Sequence, residues 1–168
     1  DEESVKQGIK EVIVPGRCEK LSINTDYSIM VDYAHSPDSL EKLLQAMKEF
    51  AEGRIISVFG CGGDRDATMR PMMGEISGRI ADFTVITSDN PRFESPEKIV
   101  GQIEEGIKQT GGKYISIVDR TDAIEYAIKN ARKNDLIILA GKGHETYLDK
   151  MGKKTHYDER EIVADILG

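Results

Sequence analysis

Five short apolar runs punctuate the chain: Ser28–Asp32, Ile55–Phe59, Phe83–Thr87, Tyr114–Val118 and Leu136–Ala140. Most are continuous rather than alternating, as strands are when both faces of their sheet are covered. The segments between them repeat with a helical period. After the first run, Ser36-Pro37 has the form of an N-cap and first helical position, and Leu40, Leu43, Leu44, Met47 and Phe50 then recur on one face. A second helix is predicted from Arg70 to Ala81 around Met73, Ile76 and Ile80. Ser95-Pro96 repeats the cap signal ahead of Ile99, Val100, Ile103 and Ile107. Thr121 opens a fourth helix carrying Ile124, Ala127, Ile128 and Ala131. Asp158, with Glu161 three residues on, predicts a capping box for a last helix through Ile162, Val163, Ile166 and Leu167. A short hairpin turning at Met151-Gly152 is expected between Glu145 and Tyr157.

This alternation of strand and helix predicts an α/β fold: a doubly wound, mainly parallel, Rossmann-like sheet of about five to six strands with a small C-terminal hairpin. Residues 1–168 read as a single domain, long enough to bury a substantial core. The first 20 or so residues are different. They suggest a short helical stretch followed by Val12-Ile13-Val14-Pro15-Gly16-Arg17, with no complete unit of their own, as if the chain arrived from something upstream.

Composition narrows the function classes. Hydrophobic residues make up 39% and charged residues 32%, a balance that suits a water-soluble globular protein. There is no apolar run of about 18 residues and no charged-then-apolar leader, so neither membrane insertion nor a signal peptide is expected. The net charge of -7 argues against a nucleic-acid partner, since phosphate binding depends on Lys and Arg. The two cysteines, Cys18 and Cys61, match no metal spacing and fit the reducing cytoplasm, where the protein is expected to work as a monomer. Cys61 is read as a small buried residue rather than a nucleophile.

In a parallel sheet, ligands bind beyond the carboxyl ends of the strands. Four charged or glycine-rich loops follow strands here: Asp32-Tyr33-Ala34-His35, Gly60-Cys61-Gly62-Gly63-Asp64-Arg65-Asp66, Asp89-Asn90-Pro91-Arg92 and Gly141-Lys142-Gly143-His144-Glu145. None is a dinucleotide fingerprint, because Arg65 and Thr146 stand where the third glycine belongs. No P-loop motif and no zinc-protease helix occurs. Asp64 and Asp66 have a spacing that Mg²⁺ accepts, but solvated or capping roles suit alternating acids as well. What remains is charge. Arg65 and Arg92 offer planar forks for carboxylates, Asn90 donates and accepts, and Glu145 can receive an ammonium. Two anion receptors beside a cation receptor describe an amino-acid site. As surface ion pairs the same charges would be worth ~0–1 kcal/mol each, and spacing alone leaves both readings open.

At these residues the chain resembles the C-terminal domain of the Mur ligases. The resemblance runs from Val14-Pro15-Gly16-Arg17 through Val31-Asp32-Tyr33-Ala34-His35 to the helix after Asp158, and the conjunction of GCGGDRD, DNPR and GKGHE is specific. It implies an ATP-dependent acid–amino-acid ligase of peptidoglycan precursor synthesis. In such a ligase ATP and Mg²⁺ convert the carboxylate of UDP-MurNAc-L-Ala-D-Glu to an acyl phosphate, which the amino acid's amine then attacks. It further implies that the P-loop, most Mg²⁺ ligands and a carbamylated lysine belong to a central ATPase domain, with residues 1–20 or so leading from it. This fragment would then hold no catalytic residue or metal ligand and be inactive alone.

Carried over by motif, Arg65, Asn90, Arg92, Gly141 and Glu145 contact the amino acid, with Asp89 and Pro91 shaping the loop, while Arg17, Asp32 and His35 face ATP, although a capping or hinge role suits His35 equally. The DNPR form implies meso-diaminopimelate as the amino acid. Lysine-adding relatives depart from it, and folate polyglutamate synthetases, which share the domain type, lack DNPR with GKGHE. The alternatives are a lysine-adding ligase and a stand-alone, non-catalytic module for an amino acid or nucleotide. One position departs from the family: Met69 stands where a lysine commonly precedes Arg-Pro, so either Arg70 serves the phosphates alone or the nucleotide site is weakened.

Overall fold

The computed structural model describes residues 14–168, so the helical stretch expected at the very start lies outside the described residues. A six-stranded sheet carries the domain. Its strands are β1 (Glu19–Lys20), β2 (Ser28–Asp32), β3 (Ile55–Phe59), β4 (Phe83–Ile86), β5 (Tyr114–Ser116) and β6 (Leu136–Ala140), in the order β1-β2-β6-β3-β4-β5. All pairings are parallel except β1 with β2, so the expected α/β architecture is present. A separate antiparallel hairpin, β7 (Tyr147–Lys150) and β8 (Lys153–His156), turns at Met151-Gly152, both at positive φ. That pair of left-handed residues matches the twist of a two-residue hairpin.

Among the described residues there are five helices: α1 (Pro37–Phe50), α2 (Met69–Ile80), α3 (Pro96–Ile107), α4 (Arg120–Lys129) and α5 (Glu159–Leu167). None is long and apolar enough to cross a membrane among the described residues. The continuous apolar strands fill two cores. In β3, Ile55 and Phe59 join the cluster under α1, α2 and α3, while Ile56 and Val58 join the one under α4 and α5. β6 divides likewise, with Ile138 and Ala140 on the first face and Ile137 and Leu139 on the second.

Several boundaries differ from the sequence reading, each for a local reason. β4 and β5 end one and two residues early, and Ser88 N instead donates to Val118 O at 3.1 Å as the chain leaves the sheet. The second helix starts at Met69. The fourth starts at Arg120 because Asp119, not Thr121, begins it, accepting from Asp122 N. Ser36 and Ser95 cap as expected. Asp158 also caps, but through Arg160 N, and its capping-box partner Glu161 is drawn away to His156 Nε2 at 2.6 Å. The two-residue β1 carried no apolar pattern and was not foreseen.

The strand order positions the site. From β3 the chain steps outward to β4 and β5, then returns to insert β6 between β2 and β3. The carboxyl ends of β6, β3 and β4 therefore lie side by side where the winding reverses, the usual place for a crevice.

Candidate functional site

Three loops converge at that edge. The glycine-rich loop after β3 lies directly on the loop after β4: Gly63 N donates to Asn90 O at 2.8 Å. A Cβ on Gly63 would stand 1.9 Å from Pro91 O, so only glycine permits this approach. The loop after β6 closes the third side, with Gly141 N donating to Asp32 O at 3.0 Å. Together they bound a cleft of about 610 Å³, open mouth included. Arg65, Asp89, Asn90, Arg92, Gly141 and Glu145 all line it, so the structure brings together the residues expected to hold an amino acid; Pro91 is buried behind them.

Arg92 has φ +50°, a conformation uncommon for a side-chain-bearing residue and one that often marks function. It is held there by the hairpin: Arg92 N donates to Asp149 O at 3.0 Å, and Met151 N donates to Arg92 O at 2.8 Å. One guanidinium nitrogen, Nη1, donates to Gly63 O. Arg65 is exposed and makes no hydrogen bond or ion pair among the described residues, leaving its whole fork for a ligand. Across the cleft, Glu145 Oε2 accepts from Asn90 Nδ2 at 2.9 Å.

Behind this lining lies a residue that sequence reasoning quoted but did not single out. Lys142 is fully buried, with its Nζ 3.2 Å from Asn90 Oδ1, 3.5 Å from Asp89 Oδ1 and 3.6 Å from Glu145 Oε2. A lysine in a glycine-rich loop reads as solvated; only its packing reveals a buried, charge-paired role. Arg120 was likewise missed. Its guanidinium is buried against Glu159 (2.8 Å) and donates to Ser88 O and Ala140 O, the carbonyls from which two of the site loops depart. The cue in sequence was slight: a basic residue in the first turn of a helix, where the dipole disfavours it.

Arg70 corrects an expectation. It lines the cleft but is buried and consumed by the protein, with Nη1 and Nη2 on Glu94 at 2.9 and 2.7 Å, Nη1 on Gln102 at 2.6 Å and Nη2 on Gly62 O at 3.2 Å. The hydrogen bonds from Arg70 hold the Glu94 carboxyl down at about 2. Arg70 thus props the glycine-rich loop instead of substituting for the lysine absent at Met69. Cys61 is buried beside Met73, and burial pushes its thiol up to about 12, far from a nucleophile's range. Asp66 spends Oδ1 on Thr68 N and Oγ1.

The three residues expected to face a nucleotide sit together at the neighbouring end of the cleft. Arg17 lies over the Tyr33 ring at 5.7 Å, His35 meets the same ring edge-on at 4.6 Å, and His35 Nδ1 is 2.7 Å from Tyr33 O. Asp32 is turned inward, its two oxygens accepting from Cys18 N and Ala34 N at 2.7 Å each. Of the three, His35 lines the cleft together with Tyr33, and Arg17 reaches it only through its contact with the Tyr33 ring.

A family described as Mur ligase, glutamate ligase domain, matches residues 16–143. The chain is 52% identical over 164 residues to a UDP-N-acetylmuramoyl-L-alanyl-D-glutamate--2,6-diaminopimelate ligase of Caldanaerobacter subterraneus subsp. tengcongensis, covering 98% of this chain and 34% of that protein. It is 56% identical over 163 residues to the ligase of the same name from Alkaliphilus metalliredigens, covering 96% and 33%. A solved structure of a diaminopimelate ligase so named superposes with a TM-score of 0.85 at 34% identity, over 99% of this chain and 34% of that one. A bifunctional folylpolyglutamate synthase/dihydrofolate synthase from Yersinia pestis shares the fold alone, at a TM-score of 0.66 and 22% identity, over 86% of this chain and 32% of that one. The chain spans about a third of the length of the curated relatives it matches.

Proposed function

Since the chain belongs to the Mur ligase family, within its glutamate ligase domain, we propose that it is the part of a cytoplasmic, ATP-dependent ligase that holds meso-diaminopimelate for addition to UDP-MurNAc-L-Ala-D-Glu. The observation that carries this reading is one cleft lined by two guanidinium forks, Arg65 and Arg92, and by the carboxylate of Glu145. A zwitterion with two carboxylates and an amine matches that set. Arg92 is the selectivity residue: meso-diaminopimelate is lysine with an additional distal carboxylate, and lysine would leave the arginine unpaired.

ATP, when bound, activates the acceptor's carboxylate. His35, an exposed imidazole at the cleft, and Arg17, an exposed cation over the neighbouring Tyr33 ring, suit phosphate oxygens rather than Mg²⁺, which is assigned to the remainder of the protein. Asp32 supports them indirectly by fixing the turns on which Arg17 and His35 stand. This chain's contribution to the reaction is to pair the amino acid's carboxylates, hold its non-reacting ammonium on Glu145 and aim the other amine toward the nucleotide end of the cleft.

The test is calorimetry and turnover with meso-diaminopimelate and L-lysine on the full-length ligase. Wild type is expected to prefer meso-diaminopimelate. Arg92→Ala should weaken it by roughly 10- to 100-fold, the size of a lost charge-assisted contact of ~1.5–3 kcal/mol, with little effect on lysine. Equal use of the two amino acids, or an Arg92→Ala variant indistinguishable from wild type, would overturn the assignment.

A further inference from the structure

Lys142 touches no open space, yet its ammonium lies close to both carboxylates of the site, Asp89 and Glu145. Its Nζ has three N–H groups, and three acceptors surround it: Asn90 Oδ1 at 3.2 Å, Asp89 Oδ1 at 3.5 Å and Glu145 Oε2 at 3.6 Å. The rings of Tyr147 and Tyr157, 5.6 and 5.9 Å away, wall it off. Such a charge is costly to bury unless it is paired and hydrogen-bonded.

Its effect on Asn90 is specific. Asn90 Oδ1 accepts from both Lys142 Nζ and Asp149 N, the latter at 2.9 Å, which uses both of its lone pairs. Nδ2 gives one hydrogen to Glu145 Oε2. If the amide were flipped, its NH₂ would meet two donors and its oxygen would meet a carboxylate, so the network admits one orientation. Asn90 then has a single N–H left for the cleft and no acceptor. Glu145 has Oε2 occupied, leaving Oε1 for an ammonium. Two carboxylates around one lysine leave one formal negative charge, which an incoming ammonium can neutralise.

We infer that Lys142 is the positioning residue of the amino-acid cleft, locking the Asn90 amide as a donor and the Glu145 carboxylate as the amine's receptor. The inference rests on the amino-acid-holding role proposed above. A lysine that only filled core volume would be replaceable by methionine with no change in substrate handling. A positioning lysine acts through Asn90, and that dependence is measurable.

The experiment is steady-state kinetics on the full-length ligase carrying Lys142→Met, Asn90→Ala or both. Lys142→Met is expected to raise KM for meso-diaminopimelate by about tenfold or more, while KM for ATP and for UDP-MurNAc-L-Ala-D-Glu stay within about threefold, because only the amino-acid contacts run through the shared network. On the Asn90→Ala background the same substitution should add less than about threefold, since the effect it transmits is already lost. An unchanged KM for meso-diaminopimelate, an equal rise for all substrates, or full additivity with Asn90→Ala overturns the inference. If Lys142→Met alone does not fold, Lys142→Met with Asp89→Asn removes an anion together with the cation, and the same pattern of KM values decides. A wild-type enzyme that neither binds nor uses an amino acid would overturn the functional reading itself. Wild-type turnover with an unaffected Lys142→Met variant overturns only the role of Lys142.

Discussion

Arg70 and Arg92 line the same cleft with opposite consequences. Arg70 is enclosed by Glu94, Gln102 and Gly62, whereas Arg92 keeps most of its fork toward the opening. In the sequence they are alike, each an arginine next to a proline. Asp89, Asn90, Arg92, Arg65 and Glu145 were legible because polar, conformationally restricted residues after strands have few purely structural uses. Lys142 and Arg120 were not, because a charge is buried only when distant residues supply its partners. The Arg70–Glu94 pair has a pH signature. Glu94 is held at about 2 against an ordinary 4.5, so the folded state prefers its ionised form. The stability it contributes is present above the ordinary value and is lost as pH falls toward about 2. Urea titrations should therefore show Glu94→Gln less stable than wild type at neutral pH, with the gap narrowing steadily below pH 4.5. A gap that stays constant with pH would mean the pair contributes no ionic term.

At the scale of elements, cap signals and apolar periods located the helices closely, since both are local. Serine or aspartate at Ser36, Ser95 and Asp158 accepts from the backbone N–H groups that every helix start leaves open. What local pattern did not convey was how tightly two helices meet. α2 and α3 cross so closely that a Cβ on Gly106 would stand 1.8 Å from Pro71 O. Backbone cannot yield there as a flexible side chain would. Gly106→Ala should destabilise the domain by ~1–3 kcal/mol, as overpacking does, even though alanine is the better helix former. Chemical denaturation measures this directly, and an Ala variant as stable as wild type would show that the helices separate at no cost. Because α2 follows the glycine-rich loop and α3 follows the Asp89–Arg92 loop, their spacing also sets the width of the cleft.

For the whole molecule, the decisive feature is the insertion of β6 between β2 and β3, which sets the Gly141–Glu145 loop beside the Gly60–Asp66 and Asp89–Arg92 loops. The cleft it creates is the one proposed to hold the amino acid, but the sequence contains no P-loop to bind a triphosphate. The 168-residue chain by itself should form no amide from ATP, UDP-MurNAc-L-Ala-D-Glu and meso-diaminopimelate, with phosphate release as the assay. Turnover by the chain alone would contradict the division of labour proposed here. The sequence by itself determined the α/β class, the approximate place of each major strand and helix, and the loops that would carry chemistry, because hydrophobic period, capping and turn chemistry act over a few residues. Only the tertiary structure decided which loops meet, that Arg70 is consumed, and that Lys142 sits buried among Asp89, Asn90 and Glu145. Those outcomes depend on strand order and on pairings between residues far apart in the chain, where a charge's surroundings, rather than its identity, fix what it does.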